Sequence, residues 1–264
     1  MVKLATAREA RLYGPALAAR RWEYINAGTY VFAALLLVLA AALSMSVSAA
    51  RLGLAVGAVA LAAVAAVNAH DLAAHLAGVD CRVGLARYDA QLGLVEFLVP
   101  AVHAAGCALA AAGLALLASP HSHSQSQQRH AATMLLVAAL LWVLGSVLNS
   151  CQVYERADGR AQLLQSGVQV PQLLGSLLFL VAAALNRPRS GGEPAWLCLV
   201  GSVLWLAAAL LNVLKVFAMH QSDALRLEKL RGGAQEWLSR DREGRVPLNW
   251  EEAARRRALP TELR

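Results

Sequence analysis

Long apolar segments follow one another along the chain from residue 29 to residue 219, with short polar stretches between them. Most of these segments reach the roughly 20 residues that an α-helix needs to cross a bilayer core about 30 Å thick. The strands of a membrane β-barrel would instead give short segments of alternating hydrophobicity. The pattern therefore predicts an all-α fold, a polytopic membrane helix bundle with six transmembrane helices near 29–49, 52–70, 92–118, 132–151, 171–186 and 195–219.

The composition agrees with a membrane location. Hydrophobic residues make up 58% of the chain and charged residues 16%, against roughly 45–50% and about 25% in soluble domains. No P-loop, dinucleotide-binding, nucleophile-elbow or zinc-protease motif occurs in the sequence. We therefore expect an integral membrane protein that is not an enzyme and that has no metal site and no cofactor.

Lysine and arginine residues are distributed unevenly between the predicted helices, and the side of a membrane that carries more of them is usually the cytosolic side. The two ends and the second and fourth loops together hold 19, whereas the other three loops hold four. Both ends are therefore predicted to be cytosolic, as a basic N-terminal flank over 1–28 and a charged tail over 221–264. We interpret the net charge of +7 as part of this topology signal. We therefore expect no nucleic-acid partner.

The second half of the chain contains an internal repeat. Residues 175–186 and 201–212 are identical at eight of twelve positions, and a shorter copy of the Gly-Ser start occurs at 145–149. Small residues allow helix backbones to approach closely, and a serine hydroxyl can form a hydrogen bond across the contact. We predict a helix-packing seam, with a ligand site lined by serine and asparagine side chains as the alternative. The seam comprises Gly145, Ser146, Gly175, Ser176, Gly201 and Ser202.

The level of these Gly-Ser pairs in the membrane follows from the predicted helix ends. Pro171 fits the first turn of the fifth helix, where the N–H that proline lacks would have no partner in any case. Neighbouring spans run in opposite directions across the membrane. We therefore expect the Gly-Ser pairs at 175 and 201 to lie near opposite membrane faces, which favours packing over one shared site.

The repeat and two further segments carry a resemblance to known proteins. The paired helices with Gly-Ser-x-Leu-aromatic, a short segment within the C-terminal half of the chain, resemble the YrhK-type two-helix membrane unit. The whole chain, with HDLAAHLAGVD at 70–80 and NSCQVYERADG at 149–159, is similar to multi-pass membrane proteins of plants. The resemblance implies a location and a shape, and it implies no activity and no catalytic residue.

Polar side chains within the apolar helices are candidate functional positions, because such groups are costly inside a membrane. On the second helix, Asn68, Asp71 and His75 fall on one face at helical spacing. On the third helix, Glu96 and His103 fall on one stripe. The predicted topology places this stripe, together with the polar face of the second helix, in the cytosolic half of the bundle. The candidate polar cluster comprises Asn68, Asp71, His75, Glu96, His103, Asn149, Asn212 and Lys215.

Two interpretations of this cluster stay open. In the first, helix-end residues satisfy one another, and the protein is a structural or partner-binding component of the membrane. In the second, the cluster lines a polar cavity, and the protein translocates protons, ions or a small solute. A haem held between membrane histidines is disfavoured, because the predicted fourth and fifth helices contain no histidine.

The expected surroundings follow from the same features. The partners that we expect are the lipid bilayer and either other proteins or further copies of the chain. The plasma membrane or an endomembrane is the expected location. The basic residues of 1–28 leave an organellar membrane as the alternative, although Glu9 and Glu23 are unusual in an acid-poor transit peptide.

Overall fold

Six α-helices make up the part of the chain that the computed structural model describes, which is residues 16–76, 97–119, 124–150, 159–185 and 193–242. These residues contain no β-strand. The predicted all-α fold is therefore confirmed. The helices are α1 (Ala16–Ser44), α2 (Ala50–Leu76), α3 (Val99–Ala118), α4 (Gln125–Ser150), α5 (Gly159–Leu185) and α6 (Glu193–Arg242).

Each helix contains a segment of 20 to 26 residues that is long and apolar enough to cross a membrane. Large apolar side chains point outward as well as inward, and Phe32, Leu35 and Leu140 are at least half exposed. Helices that are apolar on every side are suited to lipid. The predicted six-helix membrane bundle is confirmed. Its spans are Glu23–Ser44, Ala50–Ala73, Val99–Ala118, Gln125–Ser150, Leu163–Leu185 and Pro194–Ala218.

The fifth helix begins earlier than the sequence pattern predicted. It starts at Gly159, its apolar span starts at Leu163, and Pro171 lies inside the helix. The prediction that Pro171 occupies the first turn was wrong. Membrane helices tolerate an internal proline, because neighbouring side chains and small backbone adjustments satisfy the carbonyl that proline leaves without its usual partner. Residues 92–96 and 186, which belonged to the predicted third and fifth helices, lie outside the described residues.

Glycines allow consecutive helices to approach closely in the bundle. A Cβ atom added to Gly53 of α2 would lie 2.7 Å from the carbonyl oxygen of Ala40 in α1. A Cβ added to Gly113 of α3 would lie 3.3 Å from the carbonyl oxygen of Ala131 in α4. Small residues at such crossings bring the backbones into contact. This van der Waals packing is a main source of helix association in a membrane, because lipid removes the hydrophobic driving force between helices.

The interior of the bundle is built largely from alanine, with a few large rings. Trp142 and Trp205 are 5% and 1% exposed, and they pack in one cluster with buried alanine, leucine and valine side chains of α1, α2, α3 and α4. The chain divides into two compact units, Met1–Val216 and Phe217–Arg264. The sites described below lie in the first unit.

Candidate functional site

Buried polar side chains gather at the end of the bundle where α2 and α4 finish and α5 begins. Each is less than a tenth exposed. Since consecutive spans run in opposite directions, these residues share one half of the membrane. We call this set the polar belt, and it comprises Asn68, Asp71, Asn149, Gln165, Asn212 and Lys215.

Lys215 is a buried lysine of α6 within this belt. Its Nζ donates a hydrogen bond to Oε1 of Gln165 in α5 at 2.6 Å, and both side chains are buried. A hydrogen bond to a charged group is worth roughly 1.5–3 kcal/mol, more than a bond between neutral groups. The contact therefore ties α5 to α6 at the end of the bundle that holds the belt.

Two further glutamines of α5 connect that helix to its other neighbours. Nε2 of Gln169 donates to the backbone carbonyl of Asn149 in α4 at 2.6 Å. Oε1 of Gln172 accepts from the hydroxyl of Tyr30 in α1 at 3.2 Å. With Gln165, these side chains recur at spacings of four and three, which places them on one stripe of the helix. One face of α5 thus forms hydrogen bonds with three different helices.

Sequence reasoning missed these glutamines. The predicted fifth helix began at Pro171, so Gln165 and Gln169 fell into a loop and Gln172 at a helix end. The signal that identifies them is the i, i+4, i+7 spacing of Gln165, Gln169 and Gln172, which indicates a helix that continues upstream of the proline.

Two of the three serines of the repeat are in contact with each other. The Oγ atoms of Ser146 in α4 and Ser176 in α5 are 3.2 Å apart and buried. Ser176 Oγ also donates to the carbonyl of Gln172 at 2.8 Å, so Ser146 is the donor between the two hydroxyls. Ser202 Oγ donates instead to the carbonyl of Cys198 in its own helix, at 2.7 Å.

The glycines of the repeat form one contact. A Cβ added to Gly175 would lie 2.9 Å from the carbonyl oxygen of Gly201, and 2.5 Å from Cδ1 of Trp205. A Cβ added to Gly201 would lie 3.3 Å from the ring of Phe179. Gly175 therefore lies beneath the ring of Trp205, which is four residues after Gly201. In the same way, Gly201 lies beneath the ring of Phe179, which is four residues after Gly175.

This contact contradicts the expectation that the two Gly-Ser pairs lie near opposite membrane faces. Because α5 begins at Gly159, Gly175 falls near the middle of its span, level with Gly201 of the antiparallel α6. The earlier helix start is the reason for the error.

The α3–α4 pair also forms reciprocal glycine–ring contacts, but here each ring lies three residues before the glycine of its own helix. A Cβ added to Gly106 of α3 would lie 2.9 Å from Nε1 of Trp142 in α4. A Cβ added to Gly145 of α4 would lie 2.7 Å from Nε2 of His103 in α3. His103 is buried by this contact. We call these reciprocal contacts, two in each helix pair, the glycine–ring lock.

Three rings of the lock touch one another across α4, α5 and α6. The ring centroids of Trp142 and Trp205 are 4.9 Å apart, those of Phe179 and Trp205 are 5.1 Å apart, and those of Trp142 and Phe179 are 5.5 Å apart. All three pairs meet edge to face, which is a favoured geometry for aromatic side chains. The rings fill the interior between the polar belt and the other half of the bundle.

The remaining members of the predicted cluster lie as follows. Asn68 donates to the carbonyl of Val64 in its own helix, at 2.9 Å. Asn212 is buried, and its Oδ1 accepts no hydrogen bond from the described residues. Glu96 and the side chain of His75 lie outside the part of the structure that is described, so the predicted grouping of His75 with Asn68 and Asp71 on one face stays a prediction.

His70 and Asn26 form a polar contact that the sequence did not reveal. Nδ1 of His70 in α2 lies 2.7 Å from Oδ1 of Asn26 in α1. One sequence contains no information on how α1 is rotated towards α2. Within the described ranges, no group of three or more histidine, cysteine, aspartate or glutamate side chains is placed to hold a metal ion.

Comparison with known proteins adds no family. No family model and no solved structure matches the chain. The resemblance to the YrhK-type unit and to plant membrane proteins therefore stays a prediction.

Proposed function

We propose that this multi-pass membrane protein is a non-enzymatic structural or partner-binding component of its membrane. The observation that carries the proposal is the glycine–ring lock. It connects α3 to α4 and α5 to α6 in the interior of the bundle, where a carrier would need an openable route. A fixed bundle serves best as a rigid element against which other molecules assemble.

The tightness of the lock supports this role. Alternating access requires groups of helices to rock against one another around a central site. Here Gly106 and Gly175 leave less than 3 Å between a would-be Cβ and the opposing indole ring. Sliding either pair by one residue replaces glycine with a larger side chain beneath the ring. Each helix pair therefore acts as a rigid unit, and the contacts of Trp142 with Phe179 and Trp205 join the two pairs to each other.

The hydrogen bonds of the polar belt support the same role. Gln165 and Gln169 bond directly to the facing helices, at 2.6 Å in each case. These two hydrogen bonds connect α5 to α4 and to α6. Polar groups that fix helix positions are a common source of specificity in membrane bundles, worth about 0.6–2 kcal/mol each.

Translocation of protons, ions or a small solute is the second candidate. The observation that favours it is Lys215, an ionisable side chain that is buried within a membrane span and bonded to Gln165 of the polar belt. Ionisable residues inside membranes frequently mark proton or ion paths. Under this alternative Lys215 and Glu96 carry the titrating charges.

Flux measurements on reconstituted vesicles separate the two candidates. Proton and potassium flux is measured for the wild type, for Lys215→Gln and Glu96→Gln, and for protein-free vesicles. We expect all three proteins to match the protein-free vesicles. Flux in the wild type that either substitution abolishes would establish the carrier and remove the structural proposal.

A second measurement tests the structural role directly. Chemical crosslinking in the native membrane, followed by native electrophoresis, is expected to place the chain in an assembly larger than its own 27.9 kDa. The proposed partners are membrane proteins or further copies of the chain, with no nucleic acid among them. The proposed location is the plasma membrane or an endomembrane, with an organellar membrane as the alternative, and imaging of a tagged chain decides between them.

A further inference from the structure

A cavity of about 600 Å³ occupies the half of the bundle that lies away from the polar belt. All six helices contribute to its walls. Ser44, at the end of α1, and Pro194 and Trp196, at the start of α6, lie at its outer end, whereas Trp142, Phe179 and Ser202 line its inner part. From Pro194 to Ser202 the helix rises by about 12 Å, so the cavity reaches from the membrane boundary well into the bilayer core.

The walls of the cavity are apolar. Among the described lining residues, the thiol of Cys198 is the only titratable side chain, and many of the others are alanine or glycine. The two hydroxyls on the walls are already engaged as donors, from Ser44 to the carbonyl of Ala40 at 2.8 Å and from Ser202 to that of Cys198 at 2.7 Å. The cavity is therefore suited to hydrocarbon and not to a polar solute.

The indole of Trp142 does not change this chemistry. Its Nε1 is packed over Gly106, 2.9 Å from the position of a Cβ there, and Gly106 is not among the described lining residues. The ring therefore presents its carbon face and edge to the interior. A lining that is mostly apolar favours apolar molecules over polar ones.

The size and the position of the cavity narrow the class of occupant. Its volume lies in the range of roughly 300–1,000 Å³ that single small molecules fill, a size suited to one hydrocarbon chain. Trp196 at the outer end is 60% exposed, and tryptophan is enriched at the level of lipid headgroups. An amphiphile in this cavity would have its polar end at that level.

We propose that this cavity binds the hydrocarbon tail of a single-chain amphiphile of the fatty-acid type, with the polar end near Trp196 and the methyl end against the rings of Trp142 and Phe179. The small residues on the walls make the space for the tail, and the glycine–ring lock closes its inner end. This site goes beyond the structural role and does not depend on it.

Photolabelling of the full chain in vesicles tests the site. Palmitic acid with a diazirine near its methyl end is the probe, and phosphatidylcholine with the same group in one acyl chain reports ordinary bilayer lipid. We expect the fatty acid to label the α4 and α5 segments around Trp142 and Phe179, and unlabelled palmitic acid to compete. Equal labelling of those segments by phosphatidylcholine, without competition, would show that bulk lipid fills the space and would overturn the proposal.

Paired substitutions locate the bound chain. Ala183 lines the cavity and its neighbour Ala184 is exposed, so Ala183→Phe fills the space while Ala184→Phe makes the same change outside. We expect labelling to fall by roughly tenfold or more in Ala183→Phe, the effect of an added group in an apolar pocket, and to be unchanged in Ala184→Phe. Equal labelling of the two variants would contradict the site.

A second pair keeps the test valid if Ala183→Phe does not fold. Ala41 lines the opposite wall on α1 and Ala42 is exposed. Ala41→Phe should lose labelling, and Ala42→Phe should retain it. A folded Ala41→Phe that labels like wild type would rule out the proposed position of the tail.

Discussion

Gly175 and Gly201 meet at the contact between α5 and α6, where a Cβ added to Gly175 would lie 2.9 Å from the carbonyl oxygen of Gly201 and 2.5 Å from the indole of Trp205. The carbonyl oxygen of Gly201 belongs to the backbone, so it cannot rotate away as a side chain could. The contact therefore requires a residue without a side chain at position 175. It is the tightest point of the glycine–ring lock.

Gly175→Ala should destabilise the bundle by about 1–3 kcal/mol, because the added methyl group forces the two helices apart. Gly167→Ala is the matched control on the same helix, since its Cβ would lie 3.6 Å from Leu211, an ordinary contact. The control should be neutral or slightly stabilising, by up to about 1 kcal/mol, because alanine favours the helix. Equilibrium unfolding in mixed micelles measures both, and equal stability of the two variants would contradict the lock.

The ring of Trp205 provides a second test of the lock. Trp205→Ala removes the edge-to-face contacts with Trp142 and Phe179 and should lower the free energy of unfolding by about 3–5 kcal/mol. Trp196→Ala changes a ring that is 60% exposed, and it should cost less than about 1 kcal/mol. The same unfolding measurement compares them. A loss in Trp205→Ala no larger than that in Trp196→Ala would show that the ring cluster adds little.

The hydrogen bond between Lys215 and Gln165 predicts energetic coupling between α6 and α5. A double-mutant cycle of Lys215→Met and Gln165→Leu should give a coupling energy of about 1–3 kcal/mol. The control cycle pairs Lys215→Met with Gln169→Leu, because Gln169 bonds to α4 and not to Lys215. We expect the control to be additive within about 0.5 kcal/mol. Additivity in both cycles would mean that the bond does not hold the helices together.

The proximity of Ser146 and Ser176 is open to a crosslinking test. Their hydroxyl oxygens are 3.2 Å apart, so cysteines at both positions should form a disulfide between α4 and α5 under mild oxidation. The experiment uses a background in which the four native cysteines are replaced by alanine. Protease cleavage in the loop between the helices should leave the fragments joined until a reductant is added. Separate fragments without reductant would place the two serines apart, and the single variant Ser146→Cys is the control.

The number of helices could be predicted from the sequence, because span length is set by bilayer thickness and can be counted from apolar runs. The start of α5 could not be predicted in this way. The glutamines before Pro171 lower the hydropathy there, and the proline matches a helix start equally well. A helix that continues past a proline depends on neighbouring helices to satisfy its backbone.

The same error affected the candidate site. With α5 beginning near Pro171, Gly175 was expected near a membrane face, and its contact with Gly201 was missed. The polar residues Asn149, Asn212 and Lys215 stand out in the sequence as polar side chains within apolar runs, and the structure buries all three. Their partners were not visible, because partner choice depends on the rotation and depth of each helix.

Extraction of native membranes with alkaline carbonate, without detergent, tests most directly whether the six helices cross lipid. Each span is long and apolar enough to remain in the bilayer when peripheral proteins are stripped. The chain is expected to stay entirely in the membrane pellet and to leave it only with detergent. Release of the intact, soluble chain into the carbonate supernatant would contradict the membrane bundle.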